Sequence, residues 1–241
     1  HGINPTTAER QSGLYYVALK YNLPIIVTEG AKKTMASLSQ GHITIGMQGV
    51  NALYRATDDE GKRLLKRIFN EDFACWATPG RDITFAFDAD SKPSSVVAVR
   101  RAMVHSIELL QERGCNIRVA QWKPVQGKGI DDLIIQSGPK AWEIAVKEAV
   151  SPEPIIKAHY RYDYTQRRDQ FKAKHAEASE TKIDRLIYKK MMEDNPQDAE
   201  RVLRQRDRAR TLTNPNQVTA YIEHIKAEAP AYAQHQRKIE I

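Results

Sequence analysis

Three acidic side chains stand where short apolar runs end: Glu29 after PIIVT (24–28), and Asp88 with Asp90 after ITFAF (83–87). Carboxylates delivered to neighbouring strand ends can converge within a few ångströms, a costly repulsion unless a dication neutralises them. Mg²⁺ suits such a set, with Mn²⁺ as an alternative, because it takes oxygen ligands, keeps several waters and is usually held by one or two carboxylates plus substrate phosphates. In an extended Asp-x-Asp segment the i and i+2 side chains point the same way, so Asp88 and Asp90 are expected to share one metal. Glu29 would sit across the cleft, placed to exchange a proton with an attacking or leaving oxygen, or to share the metal.

The elements that must position these groups are legible from apolar runs and their stops. PIIVT has the β-branched character of a doubly covered parallel strand, ended by Glu29-Gly30, and a helix is predicted over Ala31–Ser39 with Gly41 as terminator. ITIGM (43–47) predicts a second strand. The charged stretch from Tyr54 to Phe69 predicts a helical connection, on the spacing of Leu64, Leu65 and Ile68. Cys75 to Pro79 is expected to be short and extended, with a turn at Pro79-Gly80. ITFAF is the third buried strand. Val96, Val99, Met103, Ile107 and Leu110 then predict an amphipathic helix over 95–113 closed by Gly114, and NIRVAQW (116–122) a fourth strand. Strands alternating with helices predict an α/β fold, a mainly parallel sheet covered by helices on both faces, with ligands at the carboxyl ends of the strands. That is where Glu29, Asp88 and Asp90 fall.

After Trp122, the loop KPVQGKG (123–129) leads to a short helix over 130–138 and then to a Pro139-started helix reaching about Val150. SPEP (151–154) predicts a boundary, because prolines resist helix and strand alike. Residues 1–21 form a lead-in, with LYYVALKY (14–21) readable as helix or strand, residues 22–150 the α/β domain, and residues 151–241 an all-helical C-terminal domain or arm.

Composition narrows the class of protein. A formal charge of +7 and a pI near 9.3 make a polyanionic partner plausible, although 28% charged residues is an ordinary surface. Cys75 and Cys115 make neither a disulfide framework nor a zinc-binding set. No window reaches the roughly 20 apolar residues that span a bilayer, and the start has no secretory pattern. A soluble, cytoplasmic protein with no membrane partner is expected. The chain opens at His1 rather than Met, which suggests a fragment of a longer polypeptide or a tag remnant.

Several basic residues are candidate phosphate contacts. Lys32 and Lys33 open the helix after Glu29-Gly30 and face the strand ends, and Lys128 lies between Gly127 and Gly129. GKG falls short of a Walker loop, which needs a longer glycine-bounded loop before the Lys and Ser/Thr after it, so no ATPase is predicted. Arg161, Arg167 and Arg168 interleave with Tyr160, Tyr162 and Tyr164, a set that could stack single-stranded bases or equally line a packed strand or a domain interface. Residues 201–210 carry five arginines, Arg204 and Arg208 among them, with acids close enough for ordinary i,i+4 pairing. Asp131 and Asp132 precede an apolar run, where a plain helix-start role competes with a metal-site role.

Taken together, the strand–Glu29–Gly30 and strand–Asp88–x–Asp90 pieces resemble the Toprim domain of bacterial-type primases, type IA and type II topoisomerases and some nucleases. TEGAKKTMA (28–36), FDAD (87–90) and the run from Trp122 through GKGIDDLI (127–134) look closest to a divergent Toprim group of plasmid and phage primase- and helicase-like replication proteins. The resemblance covers roughly residues 20–150. It implies Mg²⁺-assisted nucleotidyl or phosphoryl transfer, with Glu29 as general acid or base, Asp88 and Asp90 as metal ligands, and Asp131 and Asp132 near a second metal. It also implies single-stranded DNA, nucleotides, and a helicase or the rest of a larger replication protein as partners. A primase-like synthesiser, a nuclease and a non-catalytic DNA- or helicase-binding module all fit this frame. One departure stands out: an acidic residue usually follows the Glu-Gly step in bacterial primases, whereas Lys32 and Lys33 follow it here, which favours phosphate contact and puts primase-like metal stoichiometry in doubt.

Overall fold

The computed structural model describes residues 2–212 and 214–229. Two short helices, α1 (Thr7–Gln11) and α2 (Leu14–Lys20), lead into strand β1 (Ile25–Glu29), so LYYVALKY is helical. Helix α3 (Ala31–Ser39) and strand β2 (Thr44–Met47) follow as the apolar runs predict.

The helix expected between Tyr54 and Phe69 is instead two strands, β3 (Tyr54–Thr57) and β4 (Arg63–Phe69), in a separate two-stranded sheet. The turn chemistry decides this. The Asp58 carboxylate accepts from the backbone N–H groups of Glu60 (3.1 Å) and Lys62 (2.8 Å), Asp58 N–H donates to the Lys62 carbonyl (2.9 Å), and Gly61 takes a positive φ of 79°. An Asx turn closed by a left-handed glycine reverses the chain, and it overrides a helical spacing carried by only three apolar residues.

Helix α4 (Glu71–Ala74) comes next, the segment 75–79 expected to be extended is turn and irregular chain, and β5 (Asp82–Phe85), α5 (Pro93–Glu112), β6 (Asn116–Val119), α6 (Ile130–Ser137) and α7 (Pro139–Lys147) follow. The main sheet has the order β2-β1-β5-β6, with all three pairings parallel. Side chains alternate across it. Ile26 joins Ala86 and Ala120 in a buried cluster with Ile130, Leu133 and Trp142 from α6 and α7, while Ile25 and Val27 are buried on the opposite side and α5 packs along β6.

Arg81 ties the lead-in to this sheet. Fully buried, it donates from Nη1 to the carbonyls of Ala18 (3.2 Å) and Leu23 (2.8 Å) and from Nε to Thr78 Oγ1 (3.1 Å), with its guanidinium 5.3 Å from the Trp76 ring centroid. Burial lowers its pKa. Both cysteines are free thiols, and burial pushes that of Cys115 up.

The chain divides into two compact units, residues 1–62 with 67–155, and residues 63–66 with 156–241. The lead-in therefore belongs to the sheet-bearing unit, and the division after 155 falls close to the expected boundary. The SPEP prolines do not block a helix: α8 (Glu153–Lys174) takes Pro154 into its first turn, where a missing N–H costs nothing. The second unit continues with α9 (Glu180–Asp194), α10 (Ala199–Arg204) and α11 (Pro215–Glu228). α9 presents Ile183, Ile187 and Met191 as a buried stripe and packs against α10 and α11. Among the described residues no helix is long and apolar enough to cross a membrane.

Candidate functional site

The site is built at the carboxyl ends of β1 and β5. Parallel pairing sets Val27 opposite Phe85, and the ladder runs one step further through Ala86 N–H to the Val27 carbonyl (2.9 Å) and Thr28 Oγ1 to the Ala86 carbonyl (2.7 Å). Continued in that register, Glu29 is level with Phe87, one residue short of Asp88. Gly30 (φ 80°) turns the chain from β1 directly into α3, and the Thr34 hydroxyl donates to the Gly30 carbonyl (2.8 Å). A Cβ on Gly46 of β2 would lie 2.1 Å from Thr34 Oγ1, so a glycine there lets α3 settle close to the sheet. The first turn of α3 thereby carries Lys33 to the strand ends.

The GKG loop arrives from the other side. Trp122 Nε1 donates to the Gly127 carbonyl (2.8 Å), and Ala89 N–H donates to the Lys128 carbonyl (2.8 Å), which fastens the Asp-Ala-Asp segment to the loop through the backbone. The backbone requires a glycine at 127, whereas at 129 an added Cβ would meet side-chain atoms that can move. Gly127 has φ 143°, and an added Cβ would lie 2.4 Å from the Leu133 nitrogen; at Gly129 it would lie 2.6 Å from both Lys33 Cε and Asp131 Oδ1.

These constraints bring two carboxylates and two ammoniums together. Lys33 Nζ lies 2.9 Å from Asp88 Oδ1, and Lys128 Nζ lies 3.7 Å from Asp88 Oδ2 and 3.4 Å from Asp90 Oδ1. One ammonium reaching both acids shows that Asp88 and Asp90 point to the same side, as their i and i+2 spacing predicts. Hydrogen bonding to Asp90, then the charges of Asp90 and Asp88, hold Lys128 above the ordinary lysine pKa. Asp88 Oδ1 is buried, and Lys33 Nζ at 2.9 Å is its charge partner.

The other predicted residues sit around this centre. Glu29 is partly exposed and Lys32 exposed, and neither side chain has a hydrogen-bond or ion-pair partner among the described residues. Asp131 borders Gly129 and hence the Lys33 stem. Asp132 accepts from the Gly129 N–H at 3.4 Å, the helix-start role that competes with a metal role for that residue.

The arginines are all on the helical unit. Arg167 pairs with Asp163 (3.3 Å), Arg168 with Glu180 (3.2 Å) and Arg204 with Glu200 (3.8 Å), while Arg161 and Arg208 are exposed. The tyrosines belong neither to a strand nor to a stacking surface: Tyr160 and Tyr164, one helical turn apart on α8, are buried, and Tyr162 is 37% exposed.

Two arrangements escape sequence reasoning. Lys33 and Lys128, taken as free phosphate contacts, are already engaged with the acids; only the sign of Lys33, following Glu29-Gly30, hints at it. The second is a buried cluster in the helical unit, where Asp184 meets Arg206, Tyr164 and Tyr221. Nothing in a run of five arginines marks Arg206 as the buried one.

The donor set fits a hard divalent cation. Asp88 and Asp90 offer carboxylate oxygens on one side of the chain, where one ammonium reaches both, and Glu29 closes the neighbouring strand.

Parallel α/β architecture with an acidic and basic cluster at the strand ends defines the class of this protein. The chain belongs to the family described as "Domain of unknown function (DUF3854)", matched over residues 14–141, a span holding the whole main sheet, the Asp-Ala-Asp segment and the GKG loop. It is also 40% identical over 122 residues to an uncharacterized protein of Picosynechococcus sp.; the shared region is 49% of this chain and 12% of that protein.

Proposed function

We propose that this chain performs Mg²⁺-dependent nucleotidyl or phosphoryl transfer on nucleic acid, as a primase-like Toprim module of a plasmid or phage DNA replication protein in the cytoplasm. The observation that carries the reading is Asp88 with Asp90 just beyond the end of β5, on one side of the chain where a single ammonium reaches both, while Glu29 closes the neighbouring parallel strand β1. The resemblance of TEGAKKTMA, FDAD and GKGIDDLI to Toprim segments supports it.

Asp88 and Asp90 would hold the metal, Mg²⁺ or Mn²⁺, with Asp131 at its margin and Asp132 committed to the helix start. When bound, the ion supplies charge neutralisation at phosphate oxygens and a lowered pKa for the nucleophile. Glu29, free of any partner among the described residues, moves the proton at the attacking or leaving oxygen. Lys32, Lys33 and Lys128 bind phosphate. Single-stranded DNA and nucleotides are the proposed ligands, a helicase or the remainder of a larger replication protein the proposed partner, and Arg161 and Arg208, both exposed, the proposed arginines for DNA contact.

A second reading has one observation in its favour. Because Lys33 and Lys128 neutralise Asp88 and Asp90, the strand ends do not present bare carboxylates to a phosphate, so a non-catalytic DNA- or helicase-binding module is compatible with the charges.

Titrating Mg²⁺ or Mn²⁺ into labelled single-stranded DNA with ribonucleotides, for the natural chain and Asp88→Ala plus Asp90→Ala, separates these readings. Metal-dependent extension lost in the variant supports the synthesiser, shortening a nuclease, and unchanged DNA with binding retained the binding module. Glu29→Gln should lower turnover by roughly 10²–10⁴-fold with DNA affinity within a few fold; parallel loss of both would remove Glu29 from the chemistry.

A further inference from the structure

We propose that Lys33 and Lys128 are displaceable internal counter-ions, which hold Asp88 and Asp90 before a divalent cation binds and release them when it does. The inference rests on the reading of these aspartates as metal ligands, and adds how the site is kept without metal and how metal binding is coupled to phosphate binding.

The charges alone require such an exchange. Two carboxylates on one side of a short segment are matched by two ammoniums from two other elements, α3 and the GKG loop. A divalent cation on the same oxygens would place its charge within a few ångströms of both ammoniums, a repulsion that partial burial strengthens. At least one lysine has to withdraw, and a flexible four-carbon stem lets it do so without moving the backbone.

The surroundings fit displacement rather than a permanent lock. Lys128 is fastened by its carbonyl to Ala89 N–H, yet its side chain is 59% exposed, so the ammonium can leave while the loop stays. Lys33 is 20% exposed and its stem passes over Gly129, where a Cβ would lie 2.6 Å from Cε. At 2.9 Å from Asp88 Oδ1 it is the closer and less exposed of the two counter-ions. Lys128 is therefore the first to go and Lys33 the second. Once freed, the ammoniums would have no carboxylate to hold them and could turn toward phosphate oxygens at the rim of the site.

Mn²⁺ binding to the whole chain, followed by the electron paramagnetic resonance signal of the free ion, tests this without reference to turnover. Lys128→Met keeps the apolar stem and removes the charge. It should bind Mn²⁺ about tenfold more tightly than the natural chain, a modest factor because the ammonium is largely solvated, and should show a larger Mn²⁺-induced rise in melting temperature. Lys33→Met should shift affinity in the same direction; if it fails to fold, the exposed Lys128 variant decides alone. Equal or weaker Mn²⁺ binding by Lys128→Met overturns the counter-ion role and leaves the metal reading standing. Absence of Mn²⁺ binding in every form, or binding that survives Asp88→Ala plus Asp90→Ala, overturns both.

Discussion

Two charge clusters, one in each compact unit, use similar groups in opposite ways. In the helical unit the Asp184 carboxylate accepts from the Tyr164 hydroxyl (3.0 Å) on one oxygen and from Arg206 Nη1 (3.2 Å) and the Tyr221 hydroxyl on the other. The Arg206 guanidinium also lies 3.5 Å from the Tyr221 ring centroid, and Asp184 and Arg206 are each only 1% exposed. Every partner is a fixed donor on a packed helix or turn. Beyond the end of β5 the carboxylates of Asp88 and Asp90 instead face flexible ammoniums, and solvent reaches Lys128. A dry carboxylate held by fixed donors has nothing left to offer a ligand, whereas one paired with mobile counter-charges within reach of solvent can change partners. The first arrangement specifies architecture and the second is suited to exchange.

The comparison breaks most visibly in stability. Asp184→Ala leaves the Arg206 cation buried without its counter-ion and should cost roughly 3–5 kcal/mol, read from urea unfolding. Asp184→Leu with Arg206→Met, which removes both charges, should recover most of that loss. A cost below about 1 kcal/mol for Asp184→Ala would mean the cluster is not the fixed element described here.

The parts of the molecule legible in the sequence are those where a buried apolar run ends in a distinctive stop. Ile25 to Glu29 closing at Gly30, and α6 closing at Gly138, needed no tertiary information, and Asp88 with Asp90 stood out because they follow such a run. β3 and β4 did not: Leu64, Leu65 and Ile68 fit a helix as well as a half-exposed strand, and the deciding signal was the turn formed by Asp58 and Gly61. β6 is shorter than its apolar run, because Trp122 leaves the sheet to bond the Gly127 carbonyl. The pairings Lys33–Asp88 and Asp184–Arg206 join residues 55 and 22 positions apart, and charge type alone does not say which of many basic residues reaches which acid.

Alkaline pH sharpens the contrast from the sealed side. Burial, then the hydrogen bond to Asp184, raises the Tyr221 hydroxyl from 10.0 to about 12, and burial raises Tyr164 as well. A pKa raised on folding means that the native state keeps its proton where the unfolded chain has lost it. The contribution is thus complete below pH ~10 and disappears as pH climbs toward ~12. Because Tyr221 is partly exposed, the amount is discounted to about 1 kcal/mol. Unfolding midpoints at pH 9 and 11 should fall further for the natural chain than for Tyr221→Phe; equal falls would place the alkaline sensitivity elsewhere.

The smallest expected stability effect belongs to the strand-end cluster and tests the comparison from its other side. Asp88→Asn keeps the shape of the side chain and removes its attraction for Lys33 and Lys128, but it also removes the repulsion of its neighbour Asp90. Ion pairs with access to solvent contribute about 0–1 kcal/mol, so the two changes should leave unfolding free energy within about 1 kcal/mol of the natural chain. Mn²⁺ affinity, by contrast, should fall by about tenfold or more, since a charged oxygen ligand has become a neutral amide. A variant destabilised as severely as Asp184→Ala would show that Asp88, like Asp184, is held for the fold, and the distinction between a cluster that fixes helices and one that exchanges cations would be lost.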